Sequence, residues 1–154
     1  MKKLAIILGV FCLLTLCSCS SQETNIDVDK TAAKLAQDIT FKDTLTELSD
    51  EQAMSIYGLD EKTVANCAVY VSSGATAEEI AVWQGKDSDG VAAIKKAITS
   101  RIDAQIEGYS DYMPTEVPKL ETPVLVTTGN YLALCISDDN EKAKEILKAL
   151  SFAM

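Results

Sequence analysis

Residues 64–84 read VANCAVYVSSGATAEEIAVWQ, and this stretch decides the fold. From Val64 to Val71, apolar residues alternate with others, as in a half-buried strand. Residues 79–84 predict a second strand, with Ile80 and Val82 on one face and Ala81 and Trp83 on the other, and residues 72–75 have the composition of a turn. The stretch therefore predicts a β-hairpin. Thr76 and Glu79 have the spacing of a helix capping box, so a helix start at this point is the alternative.

A second unit of the same kind follows. Asp87 can cap a long helix whose apolar residues recur at steps of three and four. Residues 123–128 and 131–137 predict another hairpin, and a capping box from Asp138 to Glu141 is predicted to open a last helix. Residues 69–74 parallel 124–129, which suggests an internal repeat, although ββα sequences in general resemble one another. Both explanations predict two ββα units forming a four-stranded, mostly antiparallel sheet with two helices on one face.

The aromatic residues Trp83, Tyr70 and Tyr131 are the candidate binding residues. Strand alternation is expected to place them together on the sheet face that the two helices leave free, with Ala81, Leu125, Ala133 and Cys135. The covered face would carry Val69, Val71, Ile80, Val82, Val124, Val126, Leu132 and Leu134. The free face is too apolar to lie in water. Either helices 29–39 and 50–57 pack over it, or its rings form a platform for a sugar or a partner protein.

Those two shorter helices precede the hairpin. Residues 29–39 have helical spacing, with Asp27 or Asp29 as the cap, and Ser49 with Gln52 forms a capping box for a helix that ends by Gly58. The predicted fold class is α+β: N-terminal helices followed by two ββα units, with residues 28–154 as a single domain.

The first residues have the pattern of a signal peptide for export. Lys2 and Lys3 precede an uncharged apolar run that is too short to cross a bilayer comfortably. The run ends in residues 16–19, Leu-Cys-Ser-Cys, which resemble the lipobox of bacterial lipoproteins. By that resemblance residues 1–18 are a lipoprotein signal peptide, and Cys19 receives a diacylglyceryl group carrying fatty chains such as palmitate. Residues 19–27 would be a flexible tether. The alternative is an ordinary secretion signal that is cut elsewhere.

The composition excludes several classes of function. The chain has 154 residues, with 14 basic and 23 acidic side chains and a net charge of −9, which disfavours binding to nucleic acid. It contains no histidine, which excludes Ser-His-Asp triads, Cys-His dyads and H-E-x-x-H zinc sites. We expect no metal and no cofactor apart from the covalent lipid on Cys19.

Several segments resemble one family of small bacterial lipoproteins, catalogued as domain of unknown function 4358. The most specific of them is Gly-Ala-Thr-Ala-Glu-Glu-Ile-Ala-Val at 74–82, and further matches lie at 45–60, Arg101, 112–114, 129–131 and 137–139. The resemblance covers most of residues 28–153. Trp83 departs from it, since Phe is expected there. The resemblance implies a location outside the cytoplasm, and because the family has no established activity it implies no catalytic residue.

Other candidates for chemistry favour structural roles. Cys67 and Cys135 are expected on opposite faces of the sheet, so a disulfide between them is disfavoured. Adjacent Glu78 and Glu79 point opposite ways in a strand and cannot act as a glycosidase pair; we expect a solvated Glu78 and a Glu79 that caps or pairs. Arg101 is expected in a structural salt bridge rather than as an anion ligand.

These observations favour a non-enzymatic protein, lipid-anchored at the outer face of the cell membrane. It would be a binding or accessory subunit of a cell-envelope system, with an envelope protein or a glycan as its partner. The alternatives are a small-ligand or glycan-binding lipoprotein that uses the aromatic face, and a hydrolase without histidine.

Overall fold

The computed structural model describes residues 25–154, which form an α+β fold. Five α-helices and a five-stranded antiparallel sheet alternate along these residues. The helices are α1 (Val28–Asp38), α2 (Asp50–Tyr57), α3 (Ser88–Tyr112), α4 (Val117–Glu121) and α5 (Asn140–Ala149). The strands are β1 (Thr46–Glu47), β2 (Val64–Val71), β3 (Glu79–Gly85), β4 (Val124–Thr128) and β5 (Tyr131–Ile136), and a 3₁₀ turn spans Pro114–Glu116.

The sheet has the order β1-β2-β3-β5-β4. The four predicted strands are present, and the prediction of a four-stranded sheet is wrong only at its edge. There β1 adds a fifth strand, in which Thr46 pairs with Val71 and Glu47 with Tyr70. Two residues are too few to show an alternating pattern, so the sequence gives no strand signal at this position.

Helices cover both faces of the sheet, whereas the sequence predicted the two ββα helices on one face. Helices α1 and α5 pack on one side, where Leu35 and Leu147 are buried, and we call this the α1 face. Helices α2, α3 and α4 pack on the other side, the α3 face, around Ile94 and Leu120. Because both faces are covered, the central strand β3 is apolar at consecutive positions instead of alternating.

The pairing register shows why the predicted faces were wrong. Ala81 lies opposite Val69, and Trp83 lies opposite both Cys67 and Leu132. Directly paired residues share a face, so these five residues all lie on the α3 face. The prediction had placed Val69 and Leu132 on the face opposite Ala81 and Trp83. With apolar side chains on both sides, alternation defines two faces within a strand but does not say how neighbouring strands match.

The predicted caps of α2 and α3 are confirmed, whereas the capping box predicted from Asp138 to Glu141 does not form, because Asp139 caps α5 by accepting a hydrogen bond from the backbone N–H of Lys142. Ser49 and Gln52 form the reciprocal capping box of α2, and Gly58 ends that helix at φ +65°, in the left-handed region that favours glycine. Asp87 accepts a hydrogen bond from the backbone N–H of Gly90 and caps α3. The alternative helix start at Thr76 does not form, because β3 begins at Glu79.

The signal peptide (1–18), Cys19 and most of the tether (19–27) lie outside the described residues. Among residues 25–154, no helix combines the length and the apolar character needed to cross a bilayer.

Candidate functional site

The candidate site is the end of the sheet where the loop between β2 and β3 enters β3. This loop holds the segment on which the family resemblance is most specific, and it ends in two carboxylates, Glu78 and Glu79. Each side chain is 1% exposed, so neither is solvated. Since successive residues of a strand point to opposite faces, the two carboxylates lie in two different charge clusters.

Glu79 lies on the α3 face and is bound by three side chains. Arg101 of α3 donates from Nε to Oε1 at 2.9 Å and from Nη2 to Oε2 at 2.6 Å, which is a bidentate ion pair. The hydroxyl of Tyr57 and the amide of Gln105 donate to the same carboxylate. Arg101 is therefore in a structural salt bridge and Glu79 is paired, as the sequence predicted. We call Glu79, Arg101, Tyr57 and Gln105 the arginine cluster.

Aromatic rings line the arginine cluster. The guanidinium of Arg101 lies over the ring of Tyr57, 5.1 Å from its centroid, and Tyr57 meets Trp83 edge to face at 4.9 Å. Burial and the charge of Glu79 raise the pKa of the Tyr57 hydroxyl well above its usual value. Tyr57 thus stays protonated and acts as a hydrogen-bond donor to Glu79.

Glu78 points away from the arginine cluster and contacts two segments that are distant from it in the chain, helix α4 and the segment after α1. It accepts hydrogen bonds from the backbone N–H groups of Lys42 and Asp43, which follow α1, and from the hydroxyl of Thr76. The ammonium of Lys119 in α4 lies 3.3 Å from Oε1. The prediction of a solvated Glu78 is wrong, because both partner segments fold over it.

Lys119 is itself buried and forms an ion pair with a second carboxylate. Its ammonium lies 2.9 Å from Glu116, which also accepts a hydrogen bond from the backbone N–H of Ala77, and 3.5 Å from Asp138. Burial alone would lower the pKa of Lys119, but the hydrogen bond to Glu116 and the charge of Glu78 outweigh it and raise that pKa. We call Glu78, Glu116 and Lys119 the lysine cluster.

Hydrogen bonds from three directions fix the loop between these clusters. Asp43 accepts from both the backbone N–H and the hydroxyl of Ser73, at 2.8 and 2.5 Å. These bonds lower the pKa of Asp43. The hydroxyls of Ser72 and Tyr109 both donate to the carbonyl of Thr76. The loop is therefore held by its own side chains, by α3 and by the segment after α1.

Shallow clefts flank Arg101 on the α3 face. One of about 300 Å³ is lined by Leu48, Ile56, Tyr109 and the loop, and another of about 380 Å³ lies towards Gly58. The side chain of Arg101 is 20% exposed between them, whereas Glu79, which also borders the first cleft, is 1% exposed and bound by Arg101. The amide oxygen of Gln105 is buried there and has no hydrogen-bond partner among the described residues. The surface thus offers an arginine edge and apolar side chains, but no free carboxylate.

The three predicted binding residues do not meet. Trp83 is fully buried on the α3 face, whereas Tyr70 and Tyr131 belong to the core of the α1 face. Tyr131 is 7% exposed. The prediction of one aromatic platform is wrong, because the register turns Trp83 to the face opposite the two tyrosines and helices cover both faces.

The cysteines lie as predicted, on opposite faces. Cys67 belongs to the core of the α3 face and Cys135 to that of the α1 face, and both are free thiols. Burial raises the pKa of each thiol to about 12. No group of three or more acidic or cysteine side chains within residues 25–154 is arranged to hold a metal ion.

Sequence reasoning missed Tyr57, Glu116 and Lys119 as members of the site. Glu116 and Lys119 do have the three-residue spacing of a helical ion pair, which was the available signal. Pro114 precedes the pair and Pro118 lies between its two members, a pattern that favours a loop over a helix. Nothing local indicates that Tyr57 reaches Glu79.

A family model described as Domain of unknown function (DUF4358) matches residues 37–137. This range runs from the end of α1 to the residue after β5 and includes both charge clusters. No curated protein and no solved structure matches the chain.

Proposed function

The chain belongs to the family described as Domain of unknown function (DUF4358), and from this premise we propose that it is a lipid-anchored, non-enzymatic subunit of a cell-envelope system that works by binding. The observation that supports a binding role over an enzymatic one is that the buried carboxylates are already hydrogen-bonded or ion-paired within the protein. Glu78, Glu79 and Glu116 are each engaged by donors of the protein itself, so they hold elements together rather than await a substrate.

The anchor rests on the Leu-Cys-Ser-Cys segment at 16–19 and the apolar run before it. One acyl chain binds a membrane marginally, whereas two bind it firmly, at about 0.8 kcal/mol for each buried CH₂ group. A diacylglyceryl group on Cys19 would therefore suffice alone. The chain carries a net charge of −9, so an anionic membrane surface would repel rather than attract the domain. Confinement near the membrane would raise the effective concentration of the domain for an envelope partner.

A hydrolase without histidine would need two accessible carboxylates about 5–9 Å apart. Glu78 and Glu116 share one neighbour, because both contact the ammonium of Lys119. Both are buried and ion-paired, and neither lines the clefts beside Arg101. A glycan-binding lipoprotein using the aromatic face is also disfavoured, because Trp83 and Tyr131 lie under the protein's own helices.

Intact-mass analysis of the exported protein tests the anchor. We expect the mature chain to begin at Cys19 and to carry the mass of a diacylglyceryl group. The variant Cys19→Ser should lose that mass and leave the membrane fraction. The matched control is Cys17→Ser, two residues earlier, which should keep both. A mature chain without lipid, or loss of lipid in the Cys17 variant alone, would refute the assignment of Cys19.

Crosslinking in whole cells tests the binding role. The anchored protein should give a defined crosslinked partner, and an exported form of the same domain carrying Cys19→Ser should give much less of it at equal abundance. Equal yields from both forms would show that anchoring contributes nothing to binding. Turnover of an envelope substrate by the purified domain, abolished by Glu78→Gln or Glu116→Gln with the fold intact, would replace the binding role with an enzymatic one.

A further inference from the structure

The three side chains of the lysine cluster are almost completely enclosed. Lys119 is 6% exposed, Glu116 4% and Glu78 1%. The ammonium of Lys119 lies 3.3 Å from Oε1 of Glu78 and 2.9 Å from Oε2 of Glu116. A buried ion pair is costly because both ions lose their hydration. A neutral amide in place of the ammonium and one carboxylate would avoid most of that cost.

The protein polarises the carboxylate of Glu78. Its Oε2 accepts hydrogen bonds from the backbone N–H groups of Lys42 and Asp43, at 2.9 and 3.1 Å, and from the hydroxyl of Thr76 at 3.1 Å. Its Oε1 faces the ammonium of Lys119. Fixed donors of this kind stabilise the negative oxygen that forms when a carboxyl carbon is attacked. Oε2 of Glu78 is therefore placed to carry that charge.

Glu116 is the enclosed proton acceptor beside Lys119. The oxygen that contacts the ammonium also accepts a hydrogen bond from the backbone N–H of Ala77 at 2.9 Å, which fixes its position. Asp138 is the other carboxylate near Lys119, at 3.5 Å, but its side chain is 47% exposed and pairs with Lys42. Proton transfer from Lys119 without solvent therefore goes to Glu116.

We propose that Lys119 and Glu78 condense to an intramolecular amide, an isopeptide crosslink between α4 and the loop before β3. Nζ of Lys119 forms a bond to Cδ of Glu78, the bond from Cδ to Oε1 breaks, and Oε1 leaves as water. Two of the three protons of the ammonium pass to Oε1 through Glu116, which ends as a carboxylate. An ammonium and a carboxylate give one amide and one water, so no oxidant, reductant or further reactant is consumed.

Contact and dryness favour this condensation. Well-oriented groups held together react as if at effective concentrations of about 10⁵–10⁸ M. The exclusion of water removes the reactant that would hydrolyse the amide. Burial lowers the pKa of Lys119, but the hydrogen bond to Glu116 and the charge of Glu78 outweigh it, so the ammonium is the resting form. The amine is thus scarce at neutral pH, and conversion should be gradual and faster at pH 9 than at pH 7.

The crosslink would close a covalent ring over residues 78–119, which contain β3 and α3. Like a disulfide, it would stabilise the domain by restricting the unfolded chain. Within residues 25–154 the two cysteines are free, so no disulfide does this. The inference concerns the domain alone and goes beyond the proposed anchor and binding role.

Intact-mass analysis of the purified Cys19→Ser protein, kept at pH 7 and at pH 9, tests the crosslink. We expect a species lighter by one water that accumulates with time, and faster at pH 9. Trypsin should then leave residues 63–86 joined to residues 102–142, because Lys119 no longer offers a cleavage site. Two exposed ion pairs at 3.2 and 2.6 Å should stay unlinked in the same digest: Lys142 with Glu145, and Lys144 with Glu141.

Three variants assign the reacting groups. Lys119→Arg keeps a cation in the cluster and should lose the crosslink entirely. Glu116→Gln cannot accept a proton and should slow crosslinking at least ten-fold. The matched control is Lys142→Arg, which should crosslink at the wild-type rate. The wild-type mass decides the proposal even if a variant folds poorly: an unchanged mass after prolonged incubation at pH 9, or a loss of water located at other residues, would overturn it.

Discussion

Glu78 and Glu79 are neighbours in sequence, yet their carboxylates belong to two separate buried clusters. Arg101 of α3 binds Glu79, and Lys119 of α4 binds Glu78. Burying two like charges next to each other is unfavourable unless each has its own partner. The pair therefore fixes where α3 and α4 pack, and the clusters should matter for stability more than surface ion pairs do.

The arginine cluster predicts a coupled effect on stability. Arg101→Met should destabilise the domain by about 3–5 kcal/mol, because it leaves the buried carboxylate of Glu79 without its cation. The double variant Arg101→Met with Glu79→Gln removes both charges and should be more stable than Arg101→Met alone. Urea unfolding of the single and double variants measures this. If the two substitutions simply add, Arg101 and Glu79 are not coupled and the ion pair does not carry the packing of α3.

The lysine cluster predicts that the same substitution at two lysines changes the stability of the domain by very different amounts. Lys119→Met leaves Glu78 and Glu116 buried without the cation they share, and should cost about 3 kcal/mol or more. Lys142→Met removes an exposed pair with Glu145 and should change stability by about 0.5 kcal/mol or less. Thermal unfolding of both variants compares the same substitution in the two settings. Similar melting temperatures would mean that the buried cluster contributes no more than a surface pair.

Local sequence patterns predicted the elements of this fold, whereas features that depend on tertiary packing were not predicted. Residues 64–84 predicted the central hairpin because alternation and turn composition are local properties. The caps at Ser49 and Asp87 were equally readable, since each is completed within three residues. Strand register and the two-sided covering of the sheet were not readable, because they depend on how apolar faces of similar character match across the fold.

The candidate site was predicted only in part, because some of its contacts follow from residue type and others depend on tertiary packing. The pairing of Glu79 and the salt bridge of Arg101 followed from residue type, whereas the burial of Glu78 did not. Its donors at Lys42 and Lys119 lie 36 and 41 residues away in the chain. A glutamate beside a turn is normally solvated, and only tertiary packing overrides that expectation.

Asp43 predicts a pH dependence of the loop. Hydrogen bonds from the Ser73 side chain and backbone lower the pKa of Asp43 below 3.8. A carboxyl group with a lower pKa in the folded state stabilises it above the unfolded pKa, and this contribution is lost as the pH falls through the folded pKa. Asp43→Asn should therefore lower the melting temperature at neutral pH, and the difference from wild type should shrink below about pH 4.

Asp103→Asn, at an exposed position of α3, serves as the control for this series. Melting temperatures of the three proteins across a pH series give the comparison. A difference between wild type and Asp43→Asn that persists unchanged into strong acid would assign the effect of Asp43 to packing rather than to its charge.

The two buried cysteines predict protection from thiol reagents. Burial raises the pKa of Cys67 and Cys135 to about 12, and the thiolate is the reactive form. In the folded Cys19→Ser protein at pH 8, both thiols should react orders of magnitude more slowly than free cysteine, and both should react at once in guanidinium chloride.

The raised pKa of the two thiols also predicts how the stability of the domain changes with pH. The unfolded thiols lose their protons above a pKa near 9.0 while the folded ones keep them, so stability should fall as the pH rises from 9 towards 12.

A Cys67→Ala, Cys135→Ala variant separates the thiols from other groups that titrate in alkali. If the thiols cause the loss, this variant should lose less stability between pH 9 and 11 than the parent does. Equal losses would assign the alkaline effect to other groups, such as Lys119. Fast labelling of Cys67 alone in the native state would show instead that the α2–β2 side opens, since Asp50 and Met54 of α2 border a cleft that reaches Cys67. The labelling rates thus distinguish a rigid core on both faces of the sheet from one that loosens at α2.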